Sequence, residues 1–228
     1  MTSKRISASV IDSRRARPSR PWAISPARSV RSPSRISQAG ARVLDVTLAA
    51  LLIAVLAVPM LVIALLIKLT SRGPAIYSQE RTGWRGRTFV MYKFRTMRVD
   101  AEAETGPIWA TREDPRRTRL GVILRRLSLD ELPQLFNVLA GDMSMVGPRP
   151  ERPCFVKSFA QRLPAYNERH AVRPGMTGWA QINGWRGDSS IEERLECDLY
   201  YVRHRSLWFN VRILLLTPLR VLVERNAC

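Results

Sequence analysis

Val43 to Leu69 reads VLDVTLAALLIAVLAVPMLVIALLIKL, and its only charged residues, Asp45 and Lys68, lie near the two ends. An apolar run of this length is typical of a membrane segment. A straight helix of this length would extend roughly 40 Å, which is enough to cross a hydrocarbon core of about 30 Å. The sequence therefore predicts a membrane protein, and length alone permits a full span.

Pro59 lies near the middle of this segment, where it removes an amide donor and kinks a helix. The short flanks on both sides are basic, whereas a simple span should be basic mainly on its cytoplasmic side. If both flanks are cytoplasmic, the segment must enter the membrane and turn back at Pro59 as a re-entrant helix hairpin. A Pro-kinked single span is the alternative, and the sequence leaves both open.

The overall charge is strongly positive. The chain has 228 residues, a formal net charge of +18 and a pI near 11.3, which indicates a polyanionic partner: nucleic acid, an anionic bilayer or a phosphorylated substrate. Residues 1–40 are rich in Ser, Arg, Pro and Ala and predict a disordered basic tail. This tail either binds anionic membrane lipid or only aids solubility. The predicted organisation is this tail, a membrane segment over residues 41–70 and a catalytic domain over residues 71–228.

The rest of the chain predicts a mainly α fold with minor β structure (α+β). Residues 75–92 alternate loosely around a Gly83–Gly86 turn and predict a hairpin. Apolar residues at helical spacing predict helices from about residue 116 to Gly141 and over residues 189–204. Residues 208–223 are too short and too charged to span, and they predict an interfacial amphipathic helix, with a core helix as the alternative.

Asp130 and Glu131 stand between two basic groups, the Arg125-Arg126 pair and the rigid Pro148-Arg149-Pro150 turn. Ser128 precedes Glu131 by three residues, so one interpretation is a capping box, in which the acids only begin a helix. The other interpretation is chemical. An ionised Asp beside a phosphate whose charge is neutralised can be a nucleophile, and the adjacent Glu offers oxygen to Mg²⁺.

A set of motifs resembles the bacterial sugar transferase family, the monotopic polyprenyl-phosphate phosphoglycosyl transferases. The resemblance covers about residues 41–227, with the motifs in the family's order. They are Lys93-Phe94-Arg95-Thr96-Met97, Leu124–Gln134 (LRRLSLDELPQ), Gly141–Ser144 (GDMS), Val146–Glu151 (VGPRPE), Pro174–Gln181 (PGMTGWAQ) and Asp198–Tyr201 (DLYY).

The resemblance implies transfer of a sugar 1-phosphate from a UDP-sugar to undecaprenyl phosphate, with release of UMP, at the cytoplasmic face of the bacterial inner membrane. Such a reaction starts an exopolysaccharide or other glycoconjugate repeat unit. The resemblance also implies a re-entrant helix kinked at Pro59, where Val58 stands in place of the family's frequent Ser.

The roles of individual residues are carried over from the same motifs. Asp130 is expected to be the nucleophile of a two-step reaction through a phosphosugar-enzyme intermediate, with Mg²⁺ near Glu131. Lys93, Arg125 and Arg149 are expected to contact phosphate. Glucose is the first expectation for the sugar and galactose the second, from the likeness of Gly184–Gly187 (GWRG) and the C-terminal region to exopolysaccharide-initiating members.

The expected partners are a UDP-sugar, undecaprenyl phosphate and anionic lipid, with no nucleic acid, and a homo-oligomer is left open. The rival hypothesis is a membrane-tethered basic protein that binds nucleic acid or acts as a scaffold. It explains the charge of +18 but not the paired acids inside a basic frame. It predicts strongly salt-dependent DNA binding.

Overall fold

A single long helix precedes a small α+β domain. The computed structural model describes residues 35–103, 106, 108, 114–187 and 189–223. In chain order the elements are α1 (Arg35–Thr70), β1 (Ile76–Thr82), β2 (Thr88–Phe94), α2 (Arg119–Arg126), α3 (Gln134–Ala140), β3 (Ser144–Val146), α4 (Pro153–Arg162), β4 (Gly175–Thr177), α5 (Trp179–Ile182), α6 (Ile191–His204) and α7 (Leu207–Val223). The predicted mainly α fold class with minor β structure is confirmed.

The predicted basic tail lies almost entirely outside the described residues, because residues 1–34 are not described. Its predicted end at residue 40 is wrong, since α1 already begins at Arg35. The physical reason is that Pro33 is the last proline before the apolar run, so no proline between it and that run removes a helical hydrogen bond. The basic residues Arg35 and Arg42 therefore belong to the membrane helix.

α1 continues through Pro59 as one helix. Within the described residues it is the one helix long and apolar enough to cross a membrane. Near its start, Arg42 donates hydrogen bonds to the carbonyl oxygens of Val138 (2.6 Å) and Leu139 (2.9 Å). Just past its end, Arg95 donates to the carbonyl oxygen of Ser71 (3.0 Å). Both ends thus contact one domain, which favours re-entry because a domain on one side of a bilayer cannot reach both ends of a spanning helix. Re-entry at Pro59 stays a prediction.

The predicted hairpin is confirmed. β1 and β2 pair antiparallel, with Ile76 opposite Phe94 and Thr82 opposite Thr88. Asn137 of α3 attaches this hairpin to the domain, since its side chain accepts a hydrogen bond from the Tyr92 amide (3.0 Å) and donates one to the Val90 carbonyl (2.7 Å). One buried amide therefore satisfies two backbone groups of an edge strand, which would otherwise lack partners.

A second sheet, which the sequence did not predict, joins β3 and β4 in parallel, with Ser144 opposite Gly175 and Val146 opposite Thr177. The strands continue into a close backbone contact at Gly147, where an added Cβ would lie 2.3 Å from the Arg173 carbonyl oxygen. Only glycine fits at this position. The contact fixes the start of the turn that carries Arg149.

The main core lies between β2, α3, β3, α6 and α7, and Ala49 of α1 is buried within it. A separate cluster packs Ile63 and Ile67, from the second half of α1, against Phe94 and Leu124. α7 buries Ile213 in the main core but exposes other apolar side chains to the outside: Trp208, Leu215 and Leu219. Both interpretations of the C-terminal helix are therefore partly right, and its position at the membrane surface stays a prediction.

Cysteine labelling from either side of a sealed membrane tests re-entry. We expect cysteines introduced by Ser37→Cys and Ser71→Cys to react with a membrane-impermeant maleimide from the same side, because both ends of α1 contact one domain. The variants are made with Cys154 and Cys228 changed to Ser. The otherwise unaltered chain, in which Cys154 is exposed on the domain, supplies the reference for the domain's side. Labelling of positions 37 and 71 from opposite sides would show a span.

Candidate active site

A cavity of about 440 Å³ opens between the β1–β2 hairpin, the residues that follow α2 and the turn after β3. Basic side chains dominate its wall: Arg81, Lys93, Arg95, Arg98, Arg116, Arg125, Arg149, Arg152, Arg186 and Arg194. Four acids also line it: Glu102, Asp130, Glu131 and Glu151. A concave site with this excess of cations favours an anionic ligand.

Asp130 and Glu131 lie in a short 3₁₀ turn, Leu129–Glu131, and do not cap a helix. Ser128 adopts the left-handed conformation (φ 56°, ψ 20°), and its side chain makes no capping hydrogen bond. α3 begins only at Gln134, because Pro133 has no amide hydrogen and is tolerated at the start of a helix but not within it. The capping-box interpretation is therefore wrong, and both acids are available to the cavity.

The Asp130 carboxylate is buried, with 5% of the residue's surface exposed. Lys93 Nζ lies 3.7 Å from Asp130 Oδ2, and among the described residues no group donates a hydrogen bond to this carboxylate. Burial raises the pKa of Asp130, the charge of Lys93 opposes this effect, and the neighbouring charge of Glu131 adds to it. The result is a relatively basic carboxylate with oxygens free to react.

Glu131 has the opposite environment. Lys93 Nζ donates to its Oε1 (2.9 Å), and Arg149 donates to its Oε1 through Nη2 and to its Oε2 through Nη1 (3.2 Å). Burial opposes ionisation of Glu131, but the charges and hydrogen bonds of Arg149 and Lys93 outweigh it and hold its pKa well below its usual value. Glu131 is thus a permanent anion that orders two cations on the cavity wall.

Arg125, at the end of α2, donates from Nε to Thr96 Oγ1 (2.9 Å) just beyond β2. α2 approaches this strand end closely because Gly121 has no side chain: a Cβ there would lie 2.1 Å from the Thr96 carbonyl oxygen. The structure therefore brings all five predicted cavity residues together: Lys93, Arg125, Asp130, Glu131 and Arg149. Their individual roles stay predictions. Pro59 lies outside the cavity, in α1.

Several residues of the cavity were not predicted as site residues. Arg186, in the Gly184–Gly187 loop, donates weakly to Ser128 Oγ (3.4 Å) beside the two acids. Arg81 lies within 3.6 Å of Glu151, which also accepts from Arg194 (2.7 Å). No local sequence pattern marks these residues, because each meets a partner far away in the chain. The one sequence feature that includes any of them is the Gly184–Gly187 loop, which contains Arg186 and on which the prediction of the sugar partly rests.

The oxygen donors near Asp130 fit Mg²⁺ only as an ion shared with a substrate. Within the described residues no group of three or more His, Cys, Asp or Glu could hold a metal. Mg²⁺ is usually held by one or two carboxylates together with substrate phosphates. Asp130, with its free oxygens, and the adjacent carboxylate of Glu131 meet that requirement. Glu131 would have to exchange part of its contact with Lys93 or Arg149.

An apolar groove of about 550 Å³ lies beside the cavity. One wall is α1 on both sides of Pro59, and the other comes from the hairpin and the start of α3: Ile53, Ala57, Met60, Leu61 and Ala64 face Ile76, Tyr92, Phe94, Pro133 and Phe136. Ile76 and Phe94 line both spaces. The cation-lined cavity and the apolar groove beside α1 are therefore adjacent and share part of their walls.

A cavity lined by cations beside an apolar groove on a long apolar helix is typical of a membrane-associated enzyme. Comparison with known proteins identifies the family within that class. Residues 36–224 match the bacterial sugar transferase family, and the chain belongs to it. The resemblance stated from the sequence is confirmed, and the family is one of transferases.

Three relatives illustrate the match. The chain is 48% identical over 172 residues to a UDP-glucose:undecaprenyl-phosphate glucose-1-phosphate transferase of Xanthomonas campestris pv. campestris, covering 74% of this chain and 36% of that protein. A protein with the same function name from Caulobacter vibrioides is 46% identical over 192 residues, covering 82% and 71%. A UDP-N-acetylgalactosamine-undecaprenyl-phosphate N-acetylgalactosaminephosphotransferase of Aeromonas hydrophila is 45% identical over 184 residues, covering 78% and 43%. The chain thus spans less than half of two of these relatives.

Glu131→Gln tests the ion cluster. We expect the variant to unfold at a lower temperature in detergent. Its free energy of unfolding should fall by about 3 kcal/mol, because Lys93 and Arg149 lose the anion that they share. The pKa of Glu131 in the folded protein is held below its value in the unfolded chain. Ionised Glu131 therefore contributes fully to the free energy of unfolding when the pH is above the unfolded-state pKa, and this contribution is lost as the pH falls through the folded-state pKa. The difference in melting temperature between wild type and Glu131→Gln should therefore become smaller as the pH is lowered.

Glu80→Gln is the matched control, because Glu80 is exposed on β1. Equal melting temperatures for Glu131→Gln and Glu80→Gln at neutral pH would contradict a stabilising role for the cluster.

Proposed function

We propose that the protein transfers hexose 1-phosphate from a UDP-hexose to undecaprenyl phosphate and releases UMP, at the cytoplasmic face of the bacterial inner membrane. The product is a diphosphate-linked lipid sugar that begins an exopolysaccharide or other glycoconjugate repeat unit. One observation carries the proposal: Asp130, a buried carboxylate that receives no hydrogen bond from the described residues, lies in a cavity rich in cations beside an apolar groove.

In the first step, a carboxylate oxygen of Asp130 attacks the phosphorus that bears the sugar. The bond from that phosphorus to the bridging oxygen of the diphosphate breaks, and UMP leaves with this oxygen. The sugar phosphate is then held on Asp130 as an acyl phosphate. The raised pKa of Asp130 supports this role, because a more basic carboxylate is the better nucleophile once it is ionised.

In the second step, a phosphate oxygen of undecaprenyl phosphate attacks the same phosphorus, and the Asp130 carboxylate is the leaving group. This yields the lipid diphosphate sugar and regenerates the free enzyme. In both steps negative charge is spread over the phosphoryl oxygens. Arg125, Arg149 and Lys93 line the cavity as preorganised cations and would stabilise that charge.

Mg²⁺ is part of the proposal as an ion held by Asp130 or Glu131 together with the substrate diphosphate. It would neutralise phosphate charge that the arginines leave uncompensated. The residues of the chain retain their separate tasks: Glu131 orders Lys93 and Arg149, while the turn after β3 holds Arg149 in place.

The apolar groove supports a lipid acceptor. Along β2, side chains alternate between two faces: Lys93 lines the cavity and Tyr92 lines the groove, while Phe94 lines both. A lipid phosphate in the cavity would therefore place its hydrocarbon chain against Phe94, Phe136 and α1. No soluble acceptor needs such a channel.

For the sugar we propose glucose, which the names of the Xanthomonas and Caulobacter relatives contain. The Aeromonas relative's name contains N-acetylgalactosamine, so the family includes other sugars. Membership in a transferase family explains the paired acids that the rival nucleic-acid-binding or scaffold hypothesis left unexplained, and we do not propose that hypothesis.

Asp130→Asn should lower UMP release from UDP-glucose at least about a thousandfold, because the amide is a poor nucleophile. With UDP-glucose labelled at the sugar-bearing phosphate, and with no lipid acceptor, wild-type protein should retain label that hydroxylamine removes. Asp130→Asn should retain none. Asp142→Asn, at an exposed acid just after α3, is the control and should behave as wild type.

Wild-type turnover by Asp130→Asn would show that another group is the nucleophile. If none of a panel of UDP-glucose, UDP-galactose and their N-acetylamino analogues gave UMP, the proposed donor class would be wrong.

Phe136→Ala should raise the KM for undecaprenyl phosphate about tenfold and leave the KM for UDP-glucose unchanged, because it removes apolar contact from the groove only. Phe136 is 48% exposed, so its truncation costs little stability. Val122→Ala is the control, since Val122 is similarly exposed (46%) on α2 and does not line the groove. An equal rise in both KM values would contradict the groove assignment.

A further inference from the structure

The turn that carries Arg149 cannot hold its own shape by backbone hydrogen bonds. Pro148 and Pro150 have no amide hydrogen, so two of the four residues Pro148–Glu151 offer a carbonyl acceptor but no backbone donor. Buried carbonyl groups need partners, which must come from elsewhere in the chain. The position of Arg149 therefore depends on the groups that satisfy these carbonyls.

Four successive carbonyls of the turn accept hydrogen bonds from three other segments of the chain, β1, β4 and the residues around Arg169. The pairs are Pro148 with the Gly175 amide (3.0 Å), Arg149 with Arg169 Nη2 (2.8 Å), Pro150 with Arg81 Nη1 (3.1 Å) and Glu151 with the Thr82 amide (2.8 Å). Two of the donors are backbone groups and two are arginine side chains. Within the described part of the chain, only Arg169 donates to the carbonyl of Arg149 itself.

Arg169 is held rigidly at this position. Its Nε and Nη2 both donate to Asp198 Oδ2 (3.0 and 2.6 Å), and its Nη1 donates to the Tyr166 hydroxyl (2.9 Å). The side chains of Arg169 and Asp198 are only 1% and 2% exposed. A planar guanidinium with three partners has one orientation, so the donor to Arg149 is fixed as well.

Asp198 belongs to a face of α6 that serves the same turn. Arg194, one helical turn earlier on that face, donates to Glu151 Oε1 (2.7 Å). The helix thus contacts the turn at two points, directly at Glu151 and through Arg169 at Arg149. A buried ion pair is weak support for stability alone, because desolvation of both charges opposes it. Its geometry here favours a positioning role.

We propose that Arg169, oriented by Asp198, is a positioning residue that sets the backbone of Arg149 and thereby aims its guanidinium at the transferring phosphate. The inference rests on the proposed function, in which Arg149 contacts that phosphate. A displacement of about 1 Å in such a contact can cost a hundredfold in rate. Arg169 itself lies behind the turn and does not line the cavity.

A double-mutant cycle separates this role from general stabilisation. Lysine keeps the charge of Arg169 but cannot bond Asp198, Tyr166 and the Arg149 carbonyl together. Arg169→Lys should lower kcat/KM for UDP-glucose about tenfold or more in the full-length protein. In an Arg149→Ala background the same change should cost less than twofold, because Arg169 acts only through Arg149.

Tyr166→Phe is the matched control. It removes the third partner of Arg169 but leaves the bonds to Asp198 and to the Arg149 carbonyl, so kcat/KM should stay within twofold of wild type. Melting temperatures are measured for every variant. If Arg169→Lys does not yield folded protein, Asp198→Asn takes its place in the cycle, with an expected loss of about threefold to tenfold that again disappears in Arg149→Ala.

Wild-type activity of the folded Arg169→Lys or Asp198→Asn variant would overturn the inference, and so would an equal loss in both backgrounds. The cycle also distinguishes the two proposals. If Arg149→Ala alone has wild-type activity, the proposed role of Arg149 fails. If Arg149→Ala is impaired and the Arg169 variant is not, only the positioning role fails.

Discussion

The site depends on one partly buried anion, Glu131, shared by two cations from separate parts of the chain. Lys93 comes from the hairpin next to the membrane helix, and Arg149 comes from the turn after β3. Neither cation could be buried alone at low cost, because desolvation of an unpaired charge is strongly unfavourable. The Glu131 contact therefore brings hairpin, 3₁₀ turn and proline turn to one place, and the cavity is the space between them.

This contact also explains why two adjacent carboxylates differ. Glu131 takes the hydrogen bonds of both cations, and its pKa falls well below its usual value. Asp130 is left with the charge of Lys93 at 3.7 Å and no hydrogen bond from the described residues, and burial raises its pKa. Environments that shift the pKa values of two neighbouring acids in opposite directions suit the two acids to different chemical roles. Glu131, which accepts the hydrogen bonds, orders the two cations, and Asp130, whose oxygens accept none from the described residues, can react.

Local patterns predicted the parts of the fold that depend on neighbouring residues. The apolar run gave α1, the Gly83–Gly86 turn gave the hairpin, and Gly141 ends α3 in the left-handed conformation (φ 92°). The capping box failed because Pro133 moved the helix start beyond both acids. The parallel β3–β4 pair joins residues about thirty positions apart, and no short pattern encodes it. Among the cavity residues, Lys93, Arg125 and Arg149 came from family motifs, whereas Arg81 and Arg186 face partners distant in sequence.

The position of the cavity beside α1 suits the proposed lipid-phosphate acceptor. Such a substrate cannot carry its phosphate far from the bilayer surface, because its hydrocarbon chain must stay out of water. A reacting carboxylate must therefore lie at the level of the headgroups, with an apolar path leading away from it. β2 provides both conditions in three consecutive residues, since Lys93 lines the cavity, Tyr92 lines the groove and Phe94 lines both. The alternation of side chains along this one strand thus places a charged group on the cavity side and an aromatic group on the groove side. α1, attached to the domain at both ends, forms the other wall of the groove.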